Sequence, residues 1–180
     1  MKLIIDEFEF HNHQKNNIER GKRIIAAAVM MAMVLALAAC GKKSTSDAFG
    51  FNNGSVVLIP GDKFDADAEG MPETTAYVEA ASCYYDGLDK VFSYDGYEVT
   101  TYPKEDGDYI QDINISSESI KTDKNVGVGS TLEEIEKAYG SDYTLSGKMY
   151  RYYQDDNSKY MYFFILNDVV QYYGYGIDVK

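Results

Sequence analysis

An uninterrupted apolar run limits which part of this chain can contribute to a folded domain. The run covers 16 residues, 24–39. A helix that crosses the hydrocarbon core of a bilayer needs about 20 apolar residues, so this run is short for a permanent span. Its length fits the core of a secretory signal, and Arg20, Lys22 and Arg23 supply the positive flank of such a signal. We therefore expect residues 1–39 to be a cleaved signal peptide.

The end of the run carries a more specific signal. The sequence LAACG, residues 37–41, looks like a lipobox, the cleavage signal of bacterial lipoproteins. Cys40 would then receive a diacylglyceryl group and become the first residue of the mature chain. Two acyl chains suffice for stable anchoring, because each buried methylene contributes about 0.8 kcal/mol. We predict that the lipid on Cys40 attaches the protein to the extracytoplasmic side of the cell membrane. The alternative is a short transmembrane anchor.

The composition after Cys40 excludes several function classes. Residues 41–180 contain 12 Lys and Arg and 25 Asp and Glu, for a net charge of −13. This charge argues against nucleic-acid binding, which needs a basic surface, and it repels anionic lipid head groups. Both histidines, His11 and His13, precede the predicted cleavage site. Histidine-dependent catalytic triads and histidine-ligated zinc are therefore excluded from the mature chain.

No other motif predicts catalysis or a cofactor. The acidic residues are numerous, but their spacing selects no pair for glycoside hydrolysis. The sequence DADAEG, residues 65–70, matches the start of an EF-hand calcium loop, yet Ala76 stands where that loop needs a bidentate glutamate. Cys83 lies in a strand-like sequence and is expected to be a buried, inert thiol. We expect a non-enzymatic protein without catalytic residues, bound metal or cofactor.

The folded part is expected to follow a polar tether. Residues 40–55 are rich in Gly, Ser and Asn and show no periodicity, which is typical of a flexible linker. The clearest element after it is a short amphipathic helix within residues 126–140. Ser130 and Glu133 have the spacing of a capping box, and Gly140 supplies a residue that ends a helix.

The strand signals suggest an internal duplication. Segments rich in tyrosine, phenylalanine and β-branched residues follow the predicted helix, and similar segments follow residues 60–72, where a weaker helical segment is expected. We predict an α+β domain over residues 56–180, built of two small repeats, 56–118 and 119–180. Each repeat would hold a short helical segment and an antiparallel sheet of three or four strands, with the helices on one face.

The last predicted hairpin suggests a binding surface. The dipeptide at residues 167–168 has the length of a tight turn between two aromatic strands. Regular strand pairing from that turn places five side chains, four of them tyrosines, on the face of the hairpin away from the helix. Tyrosine is favoured in protein recognition surfaces. The predicted binding face comprises Tyr160, Tyr162, Gln171, Tyr173 and Tyr175. The alternative is that these tyrosines are covered and fill the sheet.

Two segments carry a resemblance to known proteins. GVGSTLEEIEKAYG followed by aromatic strands resembles the unit of the β-lactamase-inhibitory-protein-like fold, which small lipoproteins of outer-membrane assembly share. SCYYDGLDKVFSYDGYEVTTYP resembles a segment common in uncharacterised lipoproteins of Gram-positive gut bacteria. The resemblance covers about residues 60–180. It implies a tandem α/β repeat that binds proteins through a sheet face, and it implies no catalytic residues.

Three functions remain open at this stage. The first is non-catalytic binding of a cell-surface protein by the tyrosine-bearing face. The second is binding of a small ligand or a cell-wall glycan, with tyrosines as stacking platforms. The third is a purely structural role in the cell envelope.

Overall fold

The computed structural model describes residues 49–154 and 158–178. They belong to one compact unit, residues 46–180. The predicted signal peptide and Cys40 lie outside the described residues. Within the described part, no helix is long and apolar enough to span a bilayer.

The described residues form ten strands and one helix. In chain order they are β1 (Phe51–Asn52), β2 (Val57–Leu58), β3 (Ala76–Ala81), β4 (Leu88–Tyr94), β5 (Tyr97–Lys104), β6 (Gly107–Ile115), α1 (Leu132–Tyr139), β7 (Thr144–Ser146), β8 (Met149–Tyr153), β9 (Lys159–Leu166) and β10 (Val169–Ile177).

Eight of these strands form one antiparallel sheet in the order β3-β4-β5-β6-β10-β9-β8-β7. Strands β3 to β6 form one four-stranded meander, and β7 to β10 form another. The two meanders meet through their last strands, where Tyr173 of β10 pairs with Ile115 of β6. Strands β1 and β2 form a separate small sheet.

This architecture contradicts the predicted α+β fold of two helix-plus-sheet repeats. The two predicted sheets are one continuous sheet, and α1 is the only helix among the described residues. The expected first helix is instead a series of turns within residues 60–72. Glycines at φ +89° (Gly61) and +91° (Gly70) interrupt it, and the Asp65 side chain accepts a hydrogen bond from the Asp67 backbone. Such local side-chain bonds favour turns over helix.

Ordered structure also begins earlier than residue 56. Strand β1 lies within the segment expected to be tether, and Phe51 is buried against Tyr97, with 4.7 Å between the ring centroids. Two phenylalanines, Phe49 and Phe51, in an otherwise polar segment are too weak a pattern to predict a strand.

The helix itself lies where it was predicted. Its N-cap is Thr131, one residue later than expected, and Thr131 and Glu134 form the capping box. Ser130 instead accepts a hydrogen bond from the Gly127 backbone. Gly140 ends the helix at φ +85°, as its freedom from a Cβ permits.

The hydrophobic core lies on one face of the large sheet. Val99, Ile113 and Phe163 contribute to that face and are fully buried. Helix α1 packs there through Ile135 and Tyr139, whose ring lies 5.7 Å from that of Phe163. The β1–β2 sheet packs on the same face, since Phe51 contacts Tyr97. Among the described elements, none covers the opposite face.

Candidate binding face

The last hairpin forms with the predicted turn but not with the predicted register. Asn167 and Asp168 both have positive φ, +53° and +65°, as the favoured two-residue hairpin turn requires. Leu166 pairs with Val169, as expected. A bulge between Val170 and Tyr172 then shifts the pairing by one residue. Every later residue of β10 therefore faces the side opposite to the one predicted.

The five residues of the predicted binding face consequently do not share one surface. Tyr160 and Tyr162 pair with Gly176 and Gly174, whereas Tyr173 and Tyr175 pair with Phe163 and Met161. Tyr173 and Tyr175 lie in the core, at 1% and 5% exposure. Gln171 is exposed at the bulge. The prediction that these five side chains form one open surface is wrong, because it assumed an unbroken ladder.

The face opposite the core holds two other aromatic residues, of which the shift adds one. Strand alternation places Phe164 beside Tyr162, and the bulge brings Tyr172 opposite Phe164. We call this surface, on the side without α1, the open face. It comprises Asp112, Asn114, Arg151, Tyr153, Tyr160, Tyr162, Phe164 and Tyr172, together with Gly174 and Gly176.

Two tyrosines of the open face lie across glycines of the next strand. A Cβ added to Gly174 would lie 2.6 Å from the Tyr162 hydroxyl oxygen, and one added to Gly176 would lie 2.7 Å from the Tyr160 ring. Glycine in a strand exposes backbone and weakens the sheet, and a cross-strand aromatic ring compensates for this. The rings of Tyr160 and Tyr162 are thereby held flat against β10.

Tyr162 joins a polar group at the centre of the open face. Its hydroxyl donates to Asp112 Oδ1 at 2.9 Å and accepts from Asn114 Nδ2 at 3.1 Å. Burial raises the pKa of Asp112 to about 6, against the lowering effects of the Tyr162 hydrogen bond and the Arg151 charge. Burial also raises the pKa of Tyr162. The Asp112 carboxylate is therefore costly to keep charged and is held by fixed donors.

Arg151 lies beside this group and is held by two neighbouring tyrosines. Its guanidinium carbon is 4.8 Å from the centre of the Tyr160 ring, and Nη1 donates to the Tyr153 hydroxyl at 3.5 Å. Its Nε is buried and has no hydrogen-bond partner. A guanidinium stacked on an aromatic ring has its donors fixed in direction, which suits recognition of carboxylates, amides and hydroxyls.

The aromatic part of the open face is a pair of stacked rings, Phe164 and Tyr172, which we call the platform. Phe164 and Tyr172 stack with 4.7 Å between centroids and 6° between ring planes. Tyr172 also meets Tyr162 edge to face at 6.4 Å. Phe164 and Tyr172 are both partly exposed. Periodicity could not have found Tyr172, because only the bulge moves it to this side.

The described residues of the open face provide polar groups and aromatic rings for contact with another molecule. Asp112 and Asn114 offer polar groups, and the partly exposed Phe164 and Tyr172 rings offer apolar contact. Tyr162 supports them from below, since it is only 4% exposed and its hydroxyl is bonded to both. In residues 49–154 and 158–178, no group of three His, Cys, Asp or Glu residues is placed to hold a metal ion. Cys83 lies after β3 and is exposed, so the expectation of a buried thiol is wrong. The strand ends at Ala81, before the cysteine.

Comparison with known proteins adds no relative. No protein-family model matches the chain, and neither the curated proteins nor the solved structures contain a match. The resemblance to lipoproteins with a tandem α/β repeat therefore stays a prediction. Function is inferred from the lipobox and the open face.

Proposed function

We propose that this protein is a lipid-anchored extracytoplasmic lipoprotein whose open face binds another protein at the cell surface without catalysis. The observation that carries this proposal is the stacked Phe164–Tyr172 pair on a sheet face that no described element covers.

The anchoring part rests on the sequence. The lipobox ending at Cys40 supplies the attachment, and the acidic remainder of the chain gives no electrostatic affinity for anionic lipid. Lipid on Cys40 would hold the domain near the membrane. Its open face would then be available to a partner in the same envelope.

The binding part rests on the residues of the open face. Tyrosine and phenylalanine give large contact areas, and tyrosine adds a hydroxyl for a polar partner. Their rings lie on paired strands, and Tyr160 and Tyr162 are held against glycines. Little rotamer freedom is then lost on binding, which favours affinity. Asp112 and Arg151 add polar contacts that select an orientation.

The proposal is tested by crosslinking the full, lipidated chain in cells and identifying captured proteins by mass spectrometry. Phe164→Ala/Tyr172→Ala removes the platform. Tyr84→Ala/Val57→Ala removes two exposed side chains at 75% and 55% exposure elsewhere and is the matched control. We expect one partner to be captured by the wild type and the control and lost from the platform variant. Circular dichroism of each variant verifies folding. A partner captured equally by all three chains would contradict the proposal.

Binding of a cell-wall glycan is the second candidate. The observation that favours it is the placement of Asp112, Asn114 and Arg151 beside Tyr160 and Tyr162. Sugars are bound by rings that stack and by polar groups that accept or donate to hydroxyls. Because the chain has no tryptophan, tyrosine fluorescence reports directly on such binding. The full chain is titrated with cell-wall fragments while its tyrosine fluorescence is followed. Saturable binding that weakens in Arg151→Lys supports this candidate, and no change in fluorescence contradicts it.

A further inference from the structure

Strand β3 is an edge of the large sheet that no other described strand covers. It forms one end of the strand order, and all six of its residues are exposed. The other end, β7, is only three residues long. A strand at an edge presents backbone N–H and C=O groups that no neighbour occupies, and these groups can pair with another strand.

Most of the devices that block such pairing are missing from β3. Natural edges carry charged side chains, above all lysine, or proline or a bulge, or they are very short, and of these β3 has only the charge of Glu79. The sequence of β3 is AYVEAA, and its six pairs with β4 run without a bulge. Two of its exposed side chains are large and apolar, Tyr77 at 48% and Val78 at 64%. The edge therefore favours addition of a further strand.

The sequence of β3 complements itself. In an antiparallel pair of two copies centred on Val78, Val78 lies opposite Val78, Tyr77 opposite Glu79, and Ala76 opposite Ala80. Within one chain the Tyr77 hydroxyl already donates to the Glu79 carboxylate. In the pair, the Tyr77 hydroxyl of one copy can donate the same hydrogen bond to the Glu79 carboxylate of the other copy. Apolar residues meet on one side and tyrosine–carboxylate pairs on the other, as cross-strand pairing favours.

We propose that β3 pairs with β3 of a second copy of this chain. The contact is isologous about a two-fold axis perpendicular to the sheet, which is the commonest symmetry of dimers. The alternative register centred on Glu79 places two carboxylates directly opposite and is disfavoured. The net charge of −12 opposes association at long range, but physiological salt screens charges beyond about 8 Å.

The dimer joins two sheets into one continuous sheet. Val78 is on the opposite side of β3 from Tyr77, whose ring packs against Phe92 of the core side. The two-fold axis keeps both open faces on the same side. A single strand-edge contact is smaller than the roughly 1,200 Å² of a standard interface, so we expect weak association that is best detected by covalent capture.

The test uses the full chain in cells with Cys83→Ser as background. Val78→Cys places two thiols opposite each other, with Cβ atoms about 4.5–5.5 Å apart, close to disulfide reach. Val57→Cys introduces a thiol of similar exposure in β2. Under mild oxidation we expect a dimer of twice the chain mass on non-reducing gels from Val78→Cys and not from Val57→Cys.

A second measurement does not depend on disulfide geometry. In sedimentation velocity of the full chain, Val78→Lys should remove the dimer, because it places two cations opposite each other, and Val57→Lys should leave it. Equal dimer from both cysteine variants, no dimer from Val78→Cys, or a dimer that persists in Val78→Lys would overturn the proposal. An adduct of Val78→Cys with a protein of another mass would also overturn it and would assign β3 to a different partner.

Discussion

The ring of Tyr162 lies over Gly174 of the neighbouring strand, where a Cβ would sit 2.6 Å from the tyrosine hydroxyl. That hydroxyl is held between Asp112 and Asn114. The missing side chain of Gly174 therefore leaves the space in which the polar centre of the open face is assembled. Because Gly174 has no side chain, the Tyr162 ring can lie against the β10 backbone and its hydroxyl can reach the Asp112 carboxylate.

Gly174→Ala should lower the free energy of unfolding by more than about 3 kcal/mol, because its Cβ would overlap the Ile113 carbonyl oxygen and the Tyr162 ring. Gly129→Ala is the matched control. Gly129 has φ +85° but no atom within 4 Å of an added Cβ, so it should cost only about 1–2 kcal/mol through backbone strain. Urea unfolding of both variants measures the difference. Equal losses would contradict the close approach at Gly174.

Asp112→Asn should remove a pH dependence of stability. Because burial raises the pKa of Asp112 to about 6, the folded protein holds a proton that the unfolded chain releases above about pH 4. The free energy of unfolding therefore falls as pH rises from about 4 to 6, and the loss persists above pH 6. The variant should be more stable than wild type at pH 7.5 by up to about 3 kcal/mol.

This difference should shrink as the pH falls towards 4, because a growing fraction of unfolded Asp112 is then protonated, as folded Asp112 already is. Asp142→Asn, at an exposed position, removes the same side-chain charge away from the open face and serves as the control. Urea unfolding between pH 4 and 7.5 supplies the measurement. If the free energy of unfolding of Asp112→Asn differed from that of wild type by the same amount at every pH, the effect would come from packing and not from the charge of Asp112.

Tyr173→Ala should destabilise the protein by about 3–5 kcal/mol, as expected for loss of a large buried ring. Tyr173 is 1% exposed and stacks on Phe163 at 5.7 Å. Tyr84→Ala, at 75% exposure, should change stability by less than about 0.5 kcal/mol. Thermal unfolding compares them. If Tyr173→Ala had the stability of wild type, Tyr173 would belong to a surface and the observed register would be wrong.

Thr131→Ala should cost about 1 kcal/mol, because it removes the acceptor for the Glu134 backbone N–H at the start of α1. Ser130→Ala tests the cap expected from the sequence. Ser130 accepts from Gly127 in the preceding turn, so its loss should alter hydrogen exchange in residues 126–130 more than within α1. Exchange measured by mass spectrometry separates the two sites.

Local signals in the sequence predicted several elements correctly. Helix α1 and its end at Gly140 are confirmed, as is the hairpin turn at Asn167-Asp168. Each depends on contacts only a few residues apart. The capping error arose because two Ser/Thr-x-x-Glu patterns overlap, and the sequence contains no local signal that ranks them.

The errors concern interactions over longer distances. The continuous sheet depends on pairing between β6 and β10, about sixty residues apart, and no local pattern encodes that contact. The open face depends on the bulge at Gln171, which carries no glycine or proline that would mark it. The lipobox at Cys40 and the binding role of the tyrosines stay predictions.

The position of β10 has a consequence for how the chain reaches its native state. This strand follows all the other strands in sequence but lies in the middle of the large sheet, between β6 and β9. Until residues 169–177 are present, the edges of β6 and β9 stay unpaired and Ile113 and Ile115 lack their neighbours on β10. The continuous sheet can therefore be completed only after the last strand has been made.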